Sequence, residues 1–467
     1  MSEKKPKAII GLEVHVQLNT NSKLFCSCPT DAEEPNTACC EICLGMPGSK
    51  PKLNEKALEF ALRIALALNC KINREFFFSR KVYFYPDMAK NFQITQYEVP
   101  LAEKGFIELQ SGRKISIRRV HIEEDPASLI HEANYSLIDY NRSGIPLVEI
   151  VTEPQLRSAA EAKEFLDSLI KILEYLEVFD SRRNTIKADV NISLEGSERV
   201  EIKNISGRKA IEAALEFEES RQRSLIAEGK KIERETRGFN AEKGITFTLR
   251  EKEFEEDYGY IFEPDLTKFK IAKEFLEKVK REIPELHIAK AKRLQEEFSL
   301  PKNVAETLAG EKALAELFEF LTKKINPELA ASFLTRELLA ILNRDNLKLA
   351  ELDLDAKEIA EMLVLLQENK ITEKTAKEAM INYVHKKETP KKFIERNNLL
   401  IEFDTKEIED IVDAVFAEHK KAVDDYKKGK KEAINFLVGQ VMRIAKGKAE
   451  PRIVRKIIIK KLRGGKQ

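Results

Sequence analysis

Ala8-Ile9-Ile10-Gly11-Leu12-Glu13-Val14-His15-Val16-Gln17-Leu18-Asn19 alternates with a period of two. Ile10, Leu12, Val14, Val16 and Leu18 take the even positions, and Gly11, Glu13, His15, Gln17 and Asn19 the odd ones. This is the signature of a strand buried on one side. Side chains two apart share a face, so Glu13 and His15 stand roughly 6.6 Å apart on the side turned from the core, within reach of one ligand. A lone histidine on a strand is more often a structural hydrogen-bonding group than a ligand. With Glu13 beside it, both readings stay open.

The same design returns downstream. Ile186, Ala188, Val190, Ile192 and Leu194 face one way and leave Lys187, Asp189, Asn191 and Ser193 on the other. Glu195-Gly196-Ser197-Glu198 then turns the chain into a returning strand that carries Glu201 and Lys203. Further strands are expected at Ile115 to Glu124 and Ile145 to Thr152, and helices at Glu55 to Leu68, Ser158 to Leu176 and Arg208 to Glu228. Antiparallel strands with helices on one side make an α+β domain whose free face is a polar trough. Such a face can also be merely solvated.

Two segments argue for more than solvation. In Val120-His121-Ile122-Glu123-Glu124-Asp125, Glu124 falls in phase with Val120 and Ile122, so either Glu123 or Glu124 is pushed toward apolar surroundings. Glu149 likewise interrupts Leu147-Val148-Glu149-Ile150-Val151. A buried carboxylate needs a cation or strong donors nearby. One reading gives Glu13, Glu124 and Glu149 a metal or catalytic duty, with Mg²⁺ as the hard cation that carboxylates and phosphates share. The other pairs them with Arg118, Arg119 or Arg142. His121 and His131 are weaker candidates. No Walker loop, dinucleotide fingerprint or nucleophile elbow occurs, so phosphate chemistry would fall to the trough.

Cys26-x-Cys28 and Cys40-x-x-Cys43 supply four thiols within eighteen residues. Two short cysteine pairs fit a closed tetrahedral zinc site; a disulfide-forming or vestigial cluster is the alternative. Cys39 is spare, and Cys70, closing a helical stretch, reads as a small buried residue.

The 467 residues, 43% hydrophobic and 34% charged, describe a globular chain, with no signal peptide or membrane-spanning segment expected. From Ile271 onward amphipathic helices follow one another, broken at Lys387 to Pro390, with helices expected at Lys431 to Lys446 and from Pro451. The net charge of +1 hides an asymmetry: Tyr426 to Gln467 holds fourteen Lys or Arg against two acids. That basic end is either a polyanion contact or a solvated helix face.

Several strings are similar to those of one family. Gly11-Leu12-Glu13-Val14-His15, Gly45-Met46-Pro47-Gly48, Tyr83-Phe84-Tyr85-Pro86-Asp87, Glu123-Glu124-Asp125, Ser143-Gly144-Ile145-Pro146-Leu147-Val148-Glu149, Val200-Glu201-Ile202-Lys203-Asn204 and Gly439-Gln440-Val441-Met442 resemble the B subunits of the tRNA-dependent amidotransferases, across essentially the whole chain. Where that family reads Asp-Tyr-Arg-Tyr-Phe-Pro-Glu-Pro-Asp, this chain has Asp257-Tyr258-Gly259-Tyr260-Ile261-Phe262-Glu263-Pro264-Asp265, losing the arginine and the first proline.

The resemblance implies an antiparallel-sheet cradle domain with a zinc knuckle over residues 1–290, an all-α domain over 291–397 and a basic helical tail over 398–467. It implies a cytoplasmic heterotrimer with a glutaminase (amidase) partner and a small third polypeptide. The activity implied is ATP-dependent amidation of misacylated Glu-tRNA(Gln) or Asp-tRNA(Asn), with Mg²⁺ and Zn²⁺. Glu13, His15, Glu124 and Glu149 are then expected at the metal and phosphate site with Lys203, and Lys81 and Glu123 nearby, where ammonia arrives. Cys26, Cys28, Cys40 and Cys43 would hold zinc; Lys446, Lys448, Arg452 and Arg455 would grip tRNA. Two other readings compete: a non-catalytic tRNA-binding scaffold, and a zinc-stabilised carboxylate-amine ligase for a small molecule.

Overall fold

The opening alternation folds as strand β1 (Ala8–Gln17), with Ile10, Leu12, Val14 and Val16 sealed from solvent and Glu13, His15 and Gln17 half-buried on the opposite face. The structure is a computed structural model that describes residues 6–181, 184–251, 259–401, 405–428, 430–445, 449 and 451–464. The chain forms two units, the first ending at Leu286 and the second starting at His287.

In the first unit β1 is followed by β2 (Lys71–Ile72), β3 (Glu75–Phe76), β4 (Ser79–Val82), β5 (Phe92–Thr95), β6 (Ala102–Glu108), β7 (Lys114–Glu124), β8 (Ser128–His131), β9 (Ser136–Asp139) and β10 (Pro146–Thr152). Then come β11 (Lys187–Leu194), β12 (Val200–Ser206), β13 (Glu235–Asn240), β14 (Ile245–Glu251), β15 (Gly259–Phe262) and β16 (Phe269–Lys270). Nine of these make one sheet in the order β14-β13-β12-β11-β1-β10-β7-β6-β2. Its pairings are antiparallel except for the parallel pair β12 and β13. A separate three-stranded sheet has the order β15-β4-β5.

Helices α1 (Glu55–Ala67), α2 (Ala159–Tyr175) and α3 (Arg208–Ala227) cover the apolar side. Phe60, Phe165, Leu169 and Ile211 from them share one cluster with Leu12, Val14, Ile122, Ile150 and Val190 from the sheet. The helix starts are set locally: the Asn54 side chain accepts from the N–H groups of Lys56 and Ala57, and Ser158 accepts from that of Glu161.

Pairing register explains what the other face holds. Residues opposite each other on neighbouring strands point to the same side. His15 stands opposite Lys187 on β11 and Glu149 on β10, and Glu149 stands opposite His121 on β7. One side-chain row along, Glu13 faces Asp189 and Val151, and Val151 faces Arg119. In the other direction Gln17 faces Leu147, which faces Glu123. Charged residues from four distant segments of the chain are thus gathered into three adjacent rows.

The second unit is helical throughout its described residues and holds two apolar clusters, one from Leu294 to Ile394 and one from Ile408 to Leu462. Pro390 opens a helix whose Ile394 lies in the first of these, so the break at Lys387 to Pro390 falls inside that cluster and not at its edge. The helices expected near the end run Ala433–Ile444 and Pro451–Gly464. No helix among the described residues is long and apolar enough to cross a membrane.

Candidate active site

The polar rows open into a cavity of about 600 Å³ lined by Glu13, His15, Lys81, Gln93, Glu123, Glu149, Lys187, Asp189 and Lys203 among others. Six of the sequence-predicted residues, Glu13, His15, Lys81, Glu123, Glu149 and Lys203, meet here. The carboxylates form two groups.

In the first, His15 Nε2 is 3.3 Å from Glu149 and 3.8 Å from Glu123, and His121 Nε2 is 3.4 Å from Glu123 and 3.8 Å from Glu149. Thr95 donates to Glu123 at 3.1 Å, and Arg119 Nη2 lies 3.7 Å from Glu149. Burial opposes charge on both acids, but His121 and His15 override it and hold Glu149 well below the usual carboxylate range; Glu123 is lowered too, by His121 and His15 against burial and the charge of Glu149. Burial also opposes charge on His15, and the hydrogen bond and charge of Glu149, with Glu123, push it up to about 10.

The second group is Glu13, Asp189 and Glu201. Their oxygens lie within 4.8 Å of one another, as do the ligand atoms of His15, Glu123 and Glu149. Lys203 Nζ sits 3.2 Å from Glu201 and 3.5 Å from Asp189. Burial, then the charges of Glu149, Asp189 and Glu201, raise Glu13 to about 7. Among the described residues, Glu149 Oε1, His121 Nδ1, Arg119 Nε and Asn191 Oδ1 are buried without a hydrogen-bond partner. An octahedral divalent cation spaces its oxygen ligands roughly 3 to 4 Å apart, and the orphaned carboxylate oxygen of Glu149 suits one.

Glu124 is not part of this arrangement. Its phase with Val120 and Ile122 turns it to the opposite side of β7, where Lys90 Nζ contacts its two oxygens at 2.5 and 2.6 Å and the Ile94 N–H donates at 2.8 Å. It lines a different cavity, with Lys23, Cys43, Lys90 and Glu263. Sequence reasoning assigned no site role to Asp189, Glu201, Lys187 and Arg119. The alternation around Asp189 and Glu201 was the available signal; cross-strand register, which selects among many polar residues, was not.

Cys26, Cys28, Cys40 and Cys43 converge, with their sulfurs within 4.8 Å of one another and those of Cys40 and Cys43 4.0 Å apart. Zinc at roughly 2.3 Å from each of four thiolates separates them by about 3.8 Å, so the set fits. The Cys26 thiol, then the Cys40 N–H and the Lys23 ammonium, pull Cys43 down to about 4 against the effect of burial. Lys23 is fully buried and donates to the carbonyls of Ala38 at 2.8 Å and Tyr140 at 3.2 Å. Cys39 is not one of the four; its thiol lies against Cys43 and 3.7 Å from Asn141 Oδ1.

In the last helix Val454, Ile457, Ile458 and Leu462 are buried, while Arg452 is 76% exposed and ion-paired with Glu373 at 2.8 Å. Arg455 donates to Asn435. Lys446, Lys448, Asp257 and Tyr258 lie outside the described residues.

Residues 8–277 match the profile of the GatB/GatE catalytic domain and residues 316–462 that of the GatB domain. The B subunit of the aspartyl/glutamyl-tRNA(Asn/Gln) amidotransferase of Thermotoga maritima is 43% identical over 478 residues, covering 98% of this chain and 99% of the relative. The proteins of the same name from Methanospirillum hungatei and Saccharolobus solfataricus are 45% and 44% identical over 462 and 468 residues, covering 95% and 97% of this chain and 96% and 99% of theirs. Similarity of this extent, spanning both units and the strands that build the trough, places the chain in the family of B subunits of the aspartyl/glutamyl-tRNA(Asn/Gln) amidotransferases.

Proposed function

We propose that this chain is the activating component of a tRNA amidotransferase, converting Glu-tRNA(Gln), Asp-tRNA(Asn) or both into the amidated form with ATP and with ammonia from a glutaminase partner. The observation that carries the reading is the convergence of two acid groups, His15 and cationic side chains in one open trough. A neutral-pH carboxylate is a poor electrophile. Transfer of the ATP γ-phosphoryl group to an oxygen of the esterified amino acid's side-chain carboxylate releases ADP and leaves an acyl phosphate. The ammonia lone pair then attacks the acyl carbon, phosphate departs with the C–O electron pair, and the nitrogen loses a proton.

Phosphoryl transfer is mainly positioning and charge neutralisation. His15, Glu123 and Glu149, and separately Glu13, Asp189 and Glu201, would hold Mg²⁺, which when bound supplies charge to the phosphate oxygens. Lys81, Lys203 and Arg119 add positive charge along the same wall. Glu123, kept ionised by His121 and oriented by Thr95, offers an acceptor for the N–H groups of arriving ammonia. Glu124, held by Lys90 on the far side of the strand, stands outside this scheme. The four cysteines would hold a structural zinc, since four thiolates leave no open position. Residues 398–467 would form a tRNA-binding tail after a helical domain at 291–397. The complex, completed by the glutaminase and the small third polypeptide, would work in the cytoplasm.

The test is Glu149→Gln in the assembled complex, supplied with free ammonia, ATP and Glu-tRNA(Gln). Amidation and substrate-dependent ATP hydrolysis should both fall by about 10²-fold or more, the scale of losing a pre-organised electrostatic contact. Wild-type rates would leave the scaffold reading in place.

A further inference from the structure

At the rim of the trough, Tyr97 and Tyr260 stack with ring centroids 3.8 Å apart and planes 13° from parallel. Tyr260 lies on β15 directly opposite Lys81 on β4, and Lys81 lies opposite Gln93 on β5. Opposed residues share a face, and Lys81 and Gln93 both line the cavity. Tyr260 therefore stands one strand out from the wall of the trough. Its hydroxyl, pushed up mainly by burial, also feels the charges of Lys81, Arg119 and Glu149. Tyr97 is 38% exposed. The two rings cover each other's inner faces, and Tyr97, the more exposed of them, leaves an outer face for a ligand.

We infer that the Tyr97 and Tyr260 pair is a stacking platform for an adenine base. The inference rests on the amidotransferase reading above and deepens it. Both substrates of that reaction carry an adenosine. In ATP it is the nucleoside behind the transferred phosphoryl group. In the charged tRNA it is the 3′-terminal nucleoside, whose ribose bears the amino acid through one ester bond, so the reacting carboxylate lies one short side chain away. Either molecule, engaged at the acids of the trough, brings its base toward the rim. Aromatic stacking tolerates such a base without a dedicated hydrogen-bond code, and the Lys81 and Arg119 cations flank the path of its phosphates.

The experiment uses the full complex with free ammonia and Tyr97→Ala, Tyr260→Ala and the two Phe variants. KM is measured separately for ATP and for the misacylated tRNA. Binding of uncharged tRNA carrying 2-aminopurine at its 3′ end is followed by fluorescence quenching and by anisotropy. Each Ala variant should raise one KM by about 5- to 150-fold, the range expected for one lost base stack, while the Phe variants restore it. A rise for tRNA with loss of quenching assigns the terminal adenosine, and a rise for ATP alone assigns the nucleotide. Unchanged KM values for both substrates, a fall in kcat alone, or Phe variants as defective as Ala would overturn the platform. Failure of the underlying reading is distinct: it would appear as undiminished amidation by the Glu149→Gln complex.

Discussion

A carboxylate buried against a lysine is stabilised only while both charges are present, and Glu124 and Lys90 are 2% and 7% exposed. Glu124→Gln removes one charge and strands the other. Breaking such a pair costs about 3–5 kcal/mol, so urea denaturation should register a loss of that order. A loss under about 1 kcal/mol would mean that water reaches Lys90. Glu13 gives the opposite kind of signal. Its carboxyl is raised to about 7 from 4.5, so the folded protein holds that proton more tightly than the unfolded chain does. In chelator-treated protein this contribution to stability is complete below pH 4.5 and is lost as the pH rises through 7. The difference in melting temperature between wild type and Glu13→Gln should therefore change across that window; a constant difference throughout it would refute the crowded-acid picture. At this scale the sequence was half legible. Period-two phase left open which of Glu123 and Glu124 is pushed toward apolar surroundings, and both are buried, on opposite sides of β7; the cation Glu124 needs comes from Lys90, thirty-four residues away, and no local pattern announces that pairing.

Elements were more readable than contacts because hydrophobic period is local. The first strand, the three helices beginning at Glu55, Ala159 and Arg208 and the hairpin around Gly196 emerge within a few residues of where alternation and helical spacing put them. The hairpin of β13 and β14 escaped for a physical reason: its polarity is inverted. Phe247 and Leu249 are exposed, while Arg237 and Thr246 are buried against the fully buried Glu218 on α3, with Thr246 donating to it at 2.9 Å. An edge strand that seals a polar network inward does not carry the usual pattern. The cysteine segment is the reverse case, legible in spacing and closed in part by a distant residue, since besides Lys23 the Ser143 hydroxyl, a hundred residues on, donates to the Cys43 carbonyl at 3.4 Å. Cys40→Ser with Cys43→Ser should abolish zinc in the purified protein, read by elemental analysis. Zinc content equal to wild type would exclude those sulfurs as ligands.

At the scale of the whole chain, charge is partitioned: a basic C-terminal end follows an otherwise acidic sequence. The last helix has its own apolar stripe, so its arginines are not needed to hold it together. Arg452 is mostly solvent-exposed, and its ion pair with Glu373 is of the screened surface type that contributes little. A positive surface that stability does not require is available for phosphate. Each neutralised phosphate releases counterions and steepens the salt dependence of binding by nearly one unit of log K per unit of log salt. Replacing Arg452 and Arg455 with Gln should weaken tRNA binding and flatten that slope by about two, one for each contact. At saturating tRNA, the ammonia-dependent rate should stay near wild type, because the trough is built in the first unit. Binding measured by anisotropy between about 50 and 200 mM salt decides the matter. A slope equal to wild type would mean that these two arginines only solvate the helix face, and the polyanion contact would then have to lie elsewhere in the chain.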